Sequence, residues 1–210
     1  MTNLTLYTHP QSRGRIAHWM MEEVGEPYET VWIDFDSSHK PDYLAVNPMG
    51  KVPALRHGDV IVTEAAAICT YLADAFADKG LAPAPGDPAR GTFYRWLFFA
   101  AGPLEQAATA KALGWAVPEG HSGMVGFGSL DHTLHTLERA LDTTLASAPF
   151  LCGPAFTAAD LYLGSQLGWG MMVGTIEKRP AFERYVGPLR DRPAFRRSVA
   201  ANEARLAAKR

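Results

Sequence analysis

Three short stretches of this chain carry side chains that could do chemistry. In the first, His9-Pro10-Gln11-Ser12-Arg13-Gly14-Arg15, a serine stands where a loop runs into a helical pattern. The start of a helix presents amides without intrahelical acceptors and a partial positive charge, so a hydroxyl placed there helps to hold an anion. Were the anion a thiolate, one donor and the dipole would bring a thiol from about 8.5 toward neutrality. A serine in this place is equally an ordinary helix cap. The second stretch, Asn47-Pro48-Met49-Gly50-Lys51-Val52-Pro53-Ala54-Leu55, puts a proline at the head of a strand, where no ladder amide is needed. X-Pro is the linkage at which a cis peptide is common, and a cis bond at Val52-Pro53 would turn the amide and carbonyl of Val52 outward, free to pair with an extended peptide. The alternative is a trans proline entering an edge strand. The third stretch, Thr63-Glu64-Ala65-Ala66, sets a carboxylate at a strand-to-helix junction, where it suits the dipole or could hold a ligand's ammonium group.

These residues need elements to carry them. Leu4-Thr5-Leu6-Tyr7-Thr8 alternates as a strand, and Ile16, Trp19, Met20 and Val24 share one helical face that stops at Gly25. Tyr28 to Ile33 reads as the next strand, so a right-handed crossover should make the two strands parallel. A short helix is expected around Pro41 to Val46. Val52-Pro53-Ala54-Leu55 and Val60-Ile61-Val62 flank the turn His57-Gly58-Asp59 as a hairpin, and a helix from about Glu64 to Ala77 follows, with Ile68, Leu72 and Phe76 on one face. The order is βαβ, then ββα. Gly80-Leu81-Ala82-Pro83-Ala84-Pro85-Gly86-Asp87-Pro88 then breaks both helix and strand. Beyond it the periodicity is helical: Phe93, Trp96, Leu97, Ala100 and Leu104 form one stripe, and Leu130, Leu134, Leu137, Leu141 and Leu145 another. Thr157 and Asp160 have the spacing of a capping box that opens a further helix. The expected organisation is an α/β domain over 1–79, a linker over 80–91, and an all-helical domain over 92–210.

Composition narrows the classes. A net charge of -2 gives no electrostatic reason to bind nucleic acid or anionic lipid. Cys69 and Cys152 match no metal or CxxC spacing and read as small apolar residues, so no metal is expected. The chain shows no signal peptide and no apolar run of about 20 residues, which makes the cytoplasm the expected address.

The Ser-bearing loop, the helix ending Glu22-Glu23-Val24-Gly25-Glu26-Pro27-Tyr28, the Asn47-Pro48-x-Gly50-Lys51-Val52-Pro53-Ala54-Leu55 run, and Glu64 opening a helix together resemble the cytosolic glutathione S-transferases of bacteria, in their serine-type form. The Pro-rich linker and the Phe156-Thr157-Ala158-Ala159-Asp160-Leu161 box extend the likeness along the whole chain. The resemblance implies a thioredoxin-like N-terminal domain that binds glutathione as co-substrate, and an all-helical C-terminal bundle. The tripeptide's cysteinyl backbone would pair with Val52 beside Pro53. Glu64 would meet the γ-glutamyl ammonium, and Lys51, with Lys40, a glutathione carboxylate. Ser12 would donate to the thiolate. Ala65 stands where the family usually has serine, leaving its backbone amide for the γ-glutamyl carboxylate, a loss of about 0.5–1.5 kcal/mol of binding. Tyr7 is the second candidate for activating the thiol and His9 the third. Trp96, Phe99, Trp115, Trp169 and Met172 are candidates to wall a pocket for a small apolar electrophile, with Gly168 and Gly170 compatible with a widened cleft there. The implied reaction is conjugation of the glutathione thiolate to that electrophile by a homodimer. The alternatives are glutathione-dependent peroxide reduction or thiol-disulfide exchange, and a carrier of apolar ligands on the same fold.

Overall fold

The structure, a computed structural model, describes residues 3–208. By internal contacts the chain divides into two compact units, Met1–Lys79 with Asp191–Arg210, and Gly80–Arg190.

The first unit opens with β1 (Leu4–Thr8), α1 (Gly14–Val24) and β2 (Glu29–Trp32), with β1 and β2 parallel as the crossover requires. A short α2 (Pro41–Leu44) leads to the hairpin of β3 (Ala54–His57) and β4 (Val60–Thr63), and α3 (Ala65–Ala75) completes the βαβ-ββα order. The sheet order is β2-β1-β3-β4, with β3 antiparallel to both of its neighbours. Gly25 ends α1 in the left-handed region at φ 72°, its N–H donating to the Met21 carbonyl, a conformation that a side chain would resist. Leu4, Leu6, Leu55, Ile68 and Leu72 are buried, each contributing about 1.5–3 kcal/mol by leaving water.

The second unit is helical. It runs through α4 (Ala89–Phe99), α5 (Glu105–Ala112), α6 (Leu130–Leu145), α7 (Ala158–Val173) and α8 (Pro180–Arg190). α4 starts inside the stretch read as linker. Between α4 and α5 the backbone adopts a π-helical turn, Ala100–Leu104, around Pro103, which has no amide to continue an α ladder. Gly168 and Gly170 do not open a cleft. A β-carbon at Gly170 would lie 2.5 Å from Ile176, and one at Gly168 would lie 3.1 Å from the Arg190 guanidinium, so both glycines admit neighbours tight against α7. Among the described residues no helix is long and apolar enough to cross a membrane.

The last helix, α9 (Pro193–Ala207), belongs by its contacts to the first unit and packs along α1. Phe195 meets Trp19 edge-on with centroids 4.9 Å apart. Asn202 reaches Nδ1 of the buried His18 at 3.1 Å, and burial holds the His18 pKa below its usual value. Arg192 grips both oxygens of Glu23 at 2.7 Å.

Thr157 and Asp160 form the capping box at the head of α7. The Asp160 carboxylate is fully buried and accepts from the amides of Leu151 and Thr157 at 2.8 and 3.0 Å, and from the hydroxyls of Thr157 and Tyr185, both at 2.9 Å. One side chain thus ties a loop, α7 and α8 together. Asp160→Ala strands those donors, each costing about 1–3 kcal/mol, so a loss of at least about 3 kcal/mol is expected. Calorimetry should show the thermal midpoint falling by roughly 10 °C, with Asp160→Asn, which keeps one acceptor oxygen, in between.

Candidate active site

The three chemical stretches converge because of strand register. Tyr7 pairs with Ala54, and Ala54 pairs with Thr63. β1 ends one residue after Tyr7, β3 begins at Ala54 and β4 ends at Thr63, so Pro53 and Glu64 adjoin the same end of the sheet. The loop bearing Ser12, the run before β3 and the junction before α3 therefore share one end of the sheet, where α1 and α3 both begin.

At the first of these, Ser12 is tied locally. Its hydroxyl donates to the His9 carbonyl at 2.8 Å and accepts from the Gly14 amide at 3.0 Å, so it covers one of the free amides of the α1 start. Arg15 donates to the Pro10 carbonyl at 3.3 Å and pairs with Glu203 of α9 at 3.1 Å. Gly14 is glycine because of a close approach: a β-carbon there would lie 2.0 Å from Oγ1 of Thr8. Thr8 is fully buried, and Oγ1 has no hydrogen-bond partner among the described residues.

Thr8 therefore points toward α1, and alternation turns Tyr7 to the opposite face of the sheet. There the Tyr7 ring lies 5.9 Å from that of Tyr43 on α2, with the Arg56 guanidinium 5.9 Å from its centroid. His9 is buried, with Nδ1 accepting the Gln11 amide at 3.1 Å and the ring 4.0 Å from Phe35. Of the three candidates for activating a thiol, Ser12 is the one at the helix start.

The second stretch is held by two buried side chains. Tyr43 and Asn47 donate to the Lys51 carbonyl, at 2.6 and 2.7 Å. Asn47 also accepts the Met49 amide on Oδ1 at 3.1 Å, and its carbonyl takes the Gly50 amide at 2.9 Å. Burial pushes the Tyr43 phenol up to about 12, which keeps it protonated as a donor. Sequence reasoning assigned Lys51 and Val52 a role and placed Asn47 in the same run without one, and it did not single out Tyr43, although asparagine before proline is itself a turn signal. The Val52-Pro53 bond is cis. Lys51 is fixed from behind, and neither the amide nor the carbonyl of Val52 makes a hydrogen bond within the described residues.

At the third stretch, Glu64 is exposed and precedes α3 with φ 66° and ψ 120°, the one non-glycine residue at positive φ among those described. A side chain held in that region costs about 1–3 kcal/mol and is characteristic of functional positions. The first-turn amides of α3, beginning at the buried Ala65, open beside it. Lys40 and Lys51 are exposed. Neither cysteine has the environment of a nucleophile: burial raises the Cys69 thiol, and pushes Cys152 up to about 11.

In the helical unit, the residues expected to wall an apolar pocket have different surroundings. Trp96 is a core residue, with Phe99 edge-on at 5.5 Å. Trp115 lines an apolar concavity with Val117, Pro118 and Phe127, whereas Met172 lines a different one with Met171, Val186 and Arg190. Trp169 is exposed.

Over residues 2–74 the chain matches the family of the glutathione S-transferase N-terminal domain. It is 30% identical over 174 residues to glutathione S-transferase GstA of Escherichia coli O157:H7, which covers 81% of this chain and 84% of that one. Among solved structures it resembles the ternary complex of BphK, a bacterial GST, with a TM-score of 0.78 and 31% identity over 95% of this chain and 99% of that one. It is similar also to the sphingomonad glutathione S-transferase complexed with glutathione, with a TM-score of 0.75 and 31% identity over 95% of this chain and 98% of that one.

The contact between Thr8 and Gly14 sets how closely α1 begins to β1. Gly14→Ala forces the two apart and is expected to cost roughly 1–3 kcal/mol. In a Thr8→Ala background the same change should cost less, because the nearest atom it strikes is gone, while Ser12 Oγ at 2.9 Å and the β-carbon of residue 8 at 3.1 Å still resist it. Urea unfolding midpoints of the four proteins in the cycle measure this, and equal costs in both backgrounds would contradict it.

Proposed function

Since the chain belongs to the glutathione S-transferase family, we propose that it adds the thiolate of glutathione to an electrophilic carbon of a small apolar compound. The observation that carries this reading is the unpaired backbone of Val52, presented at the sheet end between the starts of α1 and α3. An extended tripeptide pairs with that residue as an added strand does, its cysteinyl N–H donating to the Val52 carbonyl and its carbonyl accepting the Val52 amide. The γ-glutamyl carboxylate then meets the α3 amides at Ala65, and its ammonium meets the Glu64 carboxylate. Lys51 and Lys40 take up the glycyl carboxylate.

The sulfur comes to the start of α1. A thiol with a pKa of about 8.5 is only about 3% ionised at pH 7; reaching half takes roughly 1.5 units, about 2 kcal/mol. One hydrogen bond to a charged acceptor supplies about 1.5–3 kcal/mol. The Ser12 hydroxyl can give it by turning its proton from the His9 carbonyl to the thiolate, exchanging a neutral acceptor worth about 0.5–1.5 kcal/mol for a charged one, a net gain of about 0–2.5 kcal/mol to which the partial charge at the α1 start adds. The Gly14 amide still donates to its oxygen and polarises it. Binding also brings the reactants together, which lowers the barrier further.

The apolar co-substrate needs apolar surface, which Trp115, Trp169 and Met172 expose. The reading extends to a cytoplasmic homodimer. Val60 and Ile61 expose apolar surface on the edge strand β4, as an interface between copies would use.

Conjugation of glutathione to a generic aromatic halide tests the reading. Ser12→Ala is expected to lower turnover at neutral pH by about 10- to 100-fold, while the KM for glutathione changes little. Unchanged turnover would reject Ser12 and promote Tyr7. Glu64→Gln removes a charge-assisted contact and is expected to weaken glutathione binding by roughly tenfold, measured by calorimetry. Unaltered affinity would remove Glu64 from the site.

A further inference from the structure

His9 stands out as a buried, titratable side chain beside the activating hydroxyl, and the reading above gives it no task. It is 6% exposed. Its Nδ1 lies 3.1 Å from the Gln11 amide, and its ring lies 4.0 Å from that of Phe35 at 37°. Its carbonyl receives both the amide of Ser12, at 3.2 Å, and the hydroxyl of Ser12, at 2.8 Å.

The direction of these bonds excludes one role and points to another. A backbone N–H can only donate, so Nδ1 must accept and the proton of the neutral ring sits on Nε2. The Nδ1 lone pair is engaged and Nε2 already holds a proton, so the ring is not arranged as a base toward a thiol.

The rest of the loop is anchored through its carbonyls, by one backbone amide and one guanidinium. The Thr8 carbonyl accepts from the Ile33 amide at 2.9 Å, and the Pro10 carbonyl accepts from Arg15 at 3.3 Å. Between those anchors and Ser12 lies Gln11, an exposed residue whose amide is fixed by the imidazole.

We propose that His9 is a positioning residue: by holding the Gln11 amide, its Nδ1 sets the turn that aims the Ser12 hydroxyl at the glutathione sulfur. The inference rests on the transferase reading above and assigns how that site is kept in order. Because Gln11 is exposed, water can satisfy its amide when the imidazole is lost. The loss therefore falls on aim rather than on folding, and a reacting pair displaced by a fraction of an ångström loses rate steeply.

Two substitutions separate positioning from proton transfer. Asparagine presents Oδ1 one bond beyond Cγ, where Nδ1 stands in histidine, and Oδ1 accepts a hydrogen bond but does not titrate. Phenylalanine keeps a ring against Phe35 and accepts nothing. The full-length parent, His9→Asn and His9→Phe are compared in glutathione conjugation to an aromatic halide across pH. His9→Phe is expected to lower kcat roughly tenfold with the KM for glutathione within about twofold, and to move the acidic limb of kcat/KM to higher pH. His9→Asn is expected to stay within about threefold of the parent in kcat, with its acidic limb unmoved. Equal losses in both variants would overturn the proposal and make the imidazole itself a proton carrier. An unaffected His9→Phe would overturn it as well. Absence of conjugation by the parent would overturn the transferase reading, and this inference with it.

Discussion

One backbone carbonyl, that of Lys51, receives the hydroxyl of Tyr43 and the side-chain amide of Asn47, both from buried residues. Those two bonds fix the oxygen of the Lys51–Val52 peptide group, while the amide on its other side and the Val52 carbonyl make no hydrogen bond within the described residues. A free backbone amide and carbonyl just before the first residue of β3, at the end of the sheet, can be paired by another extended peptide. Removing the Asn47 side chain would leave the Lys51 carbonyl with one donor fewer and the Met49 amide without its acceptor. The binding edge would lose its backing before any ligand contact was touched.

The remaining chemistry is delivered by two helices that start at the same end of the sheet. Each start offers a partial positive charge and amides in need of acceptors, suited to the anionic parts of a peptide ligand. What distinguishes them is how their first residues are held. The α1 start is drawn close to β1 because position 14 has no β-carbon, and Ser12 already spends both its donor and one acceptor site on the loop. At α3, Glu64 sits in the left-handed region and leaves its carboxylate exposed. The first helix start is thus poised by hydrogen bonds that must be exchanged. The second is poised by backbone conformation.

Much of this could be read before the structure. Alternation in Leu4–Thr8, the helical face ending at Gly25, the hairpin around Gly58 and the box at Thr157 and Asp160 are local patterns, and each became the expected element. What escaped the sequence depends on partners far away in it. His18 lies on the polar side of the α1 pattern, yet it is buried, bonded to Asn202 and set against the rings of Tyr28 and Trp32, and Glu23 is engaged by Arg192. Gly168 and Gly170 looked like weak points in a helix, but they are the places where Arg190 and Ile176 press in. Trp96 has the residue type of a ligand wall and the burial of a core residue, a distinction that periodicity alone does not make. The same holds for Ser12: its place at a helix start was legible, but the carbonyl that takes its proton was not.

A crystal structure of the protein soaked with glutathione shows where the tripeptide lies. The tripeptide is expected to lie extended along Val52, exchanging a pair of main-chain hydrogen bonds with it at about 2.9 Å, with the sulfur within reach of the Ser12 hydroxyl. A tripeptide bound elsewhere, with the Val52 amide and carbonyl still bare, would contradict this placement.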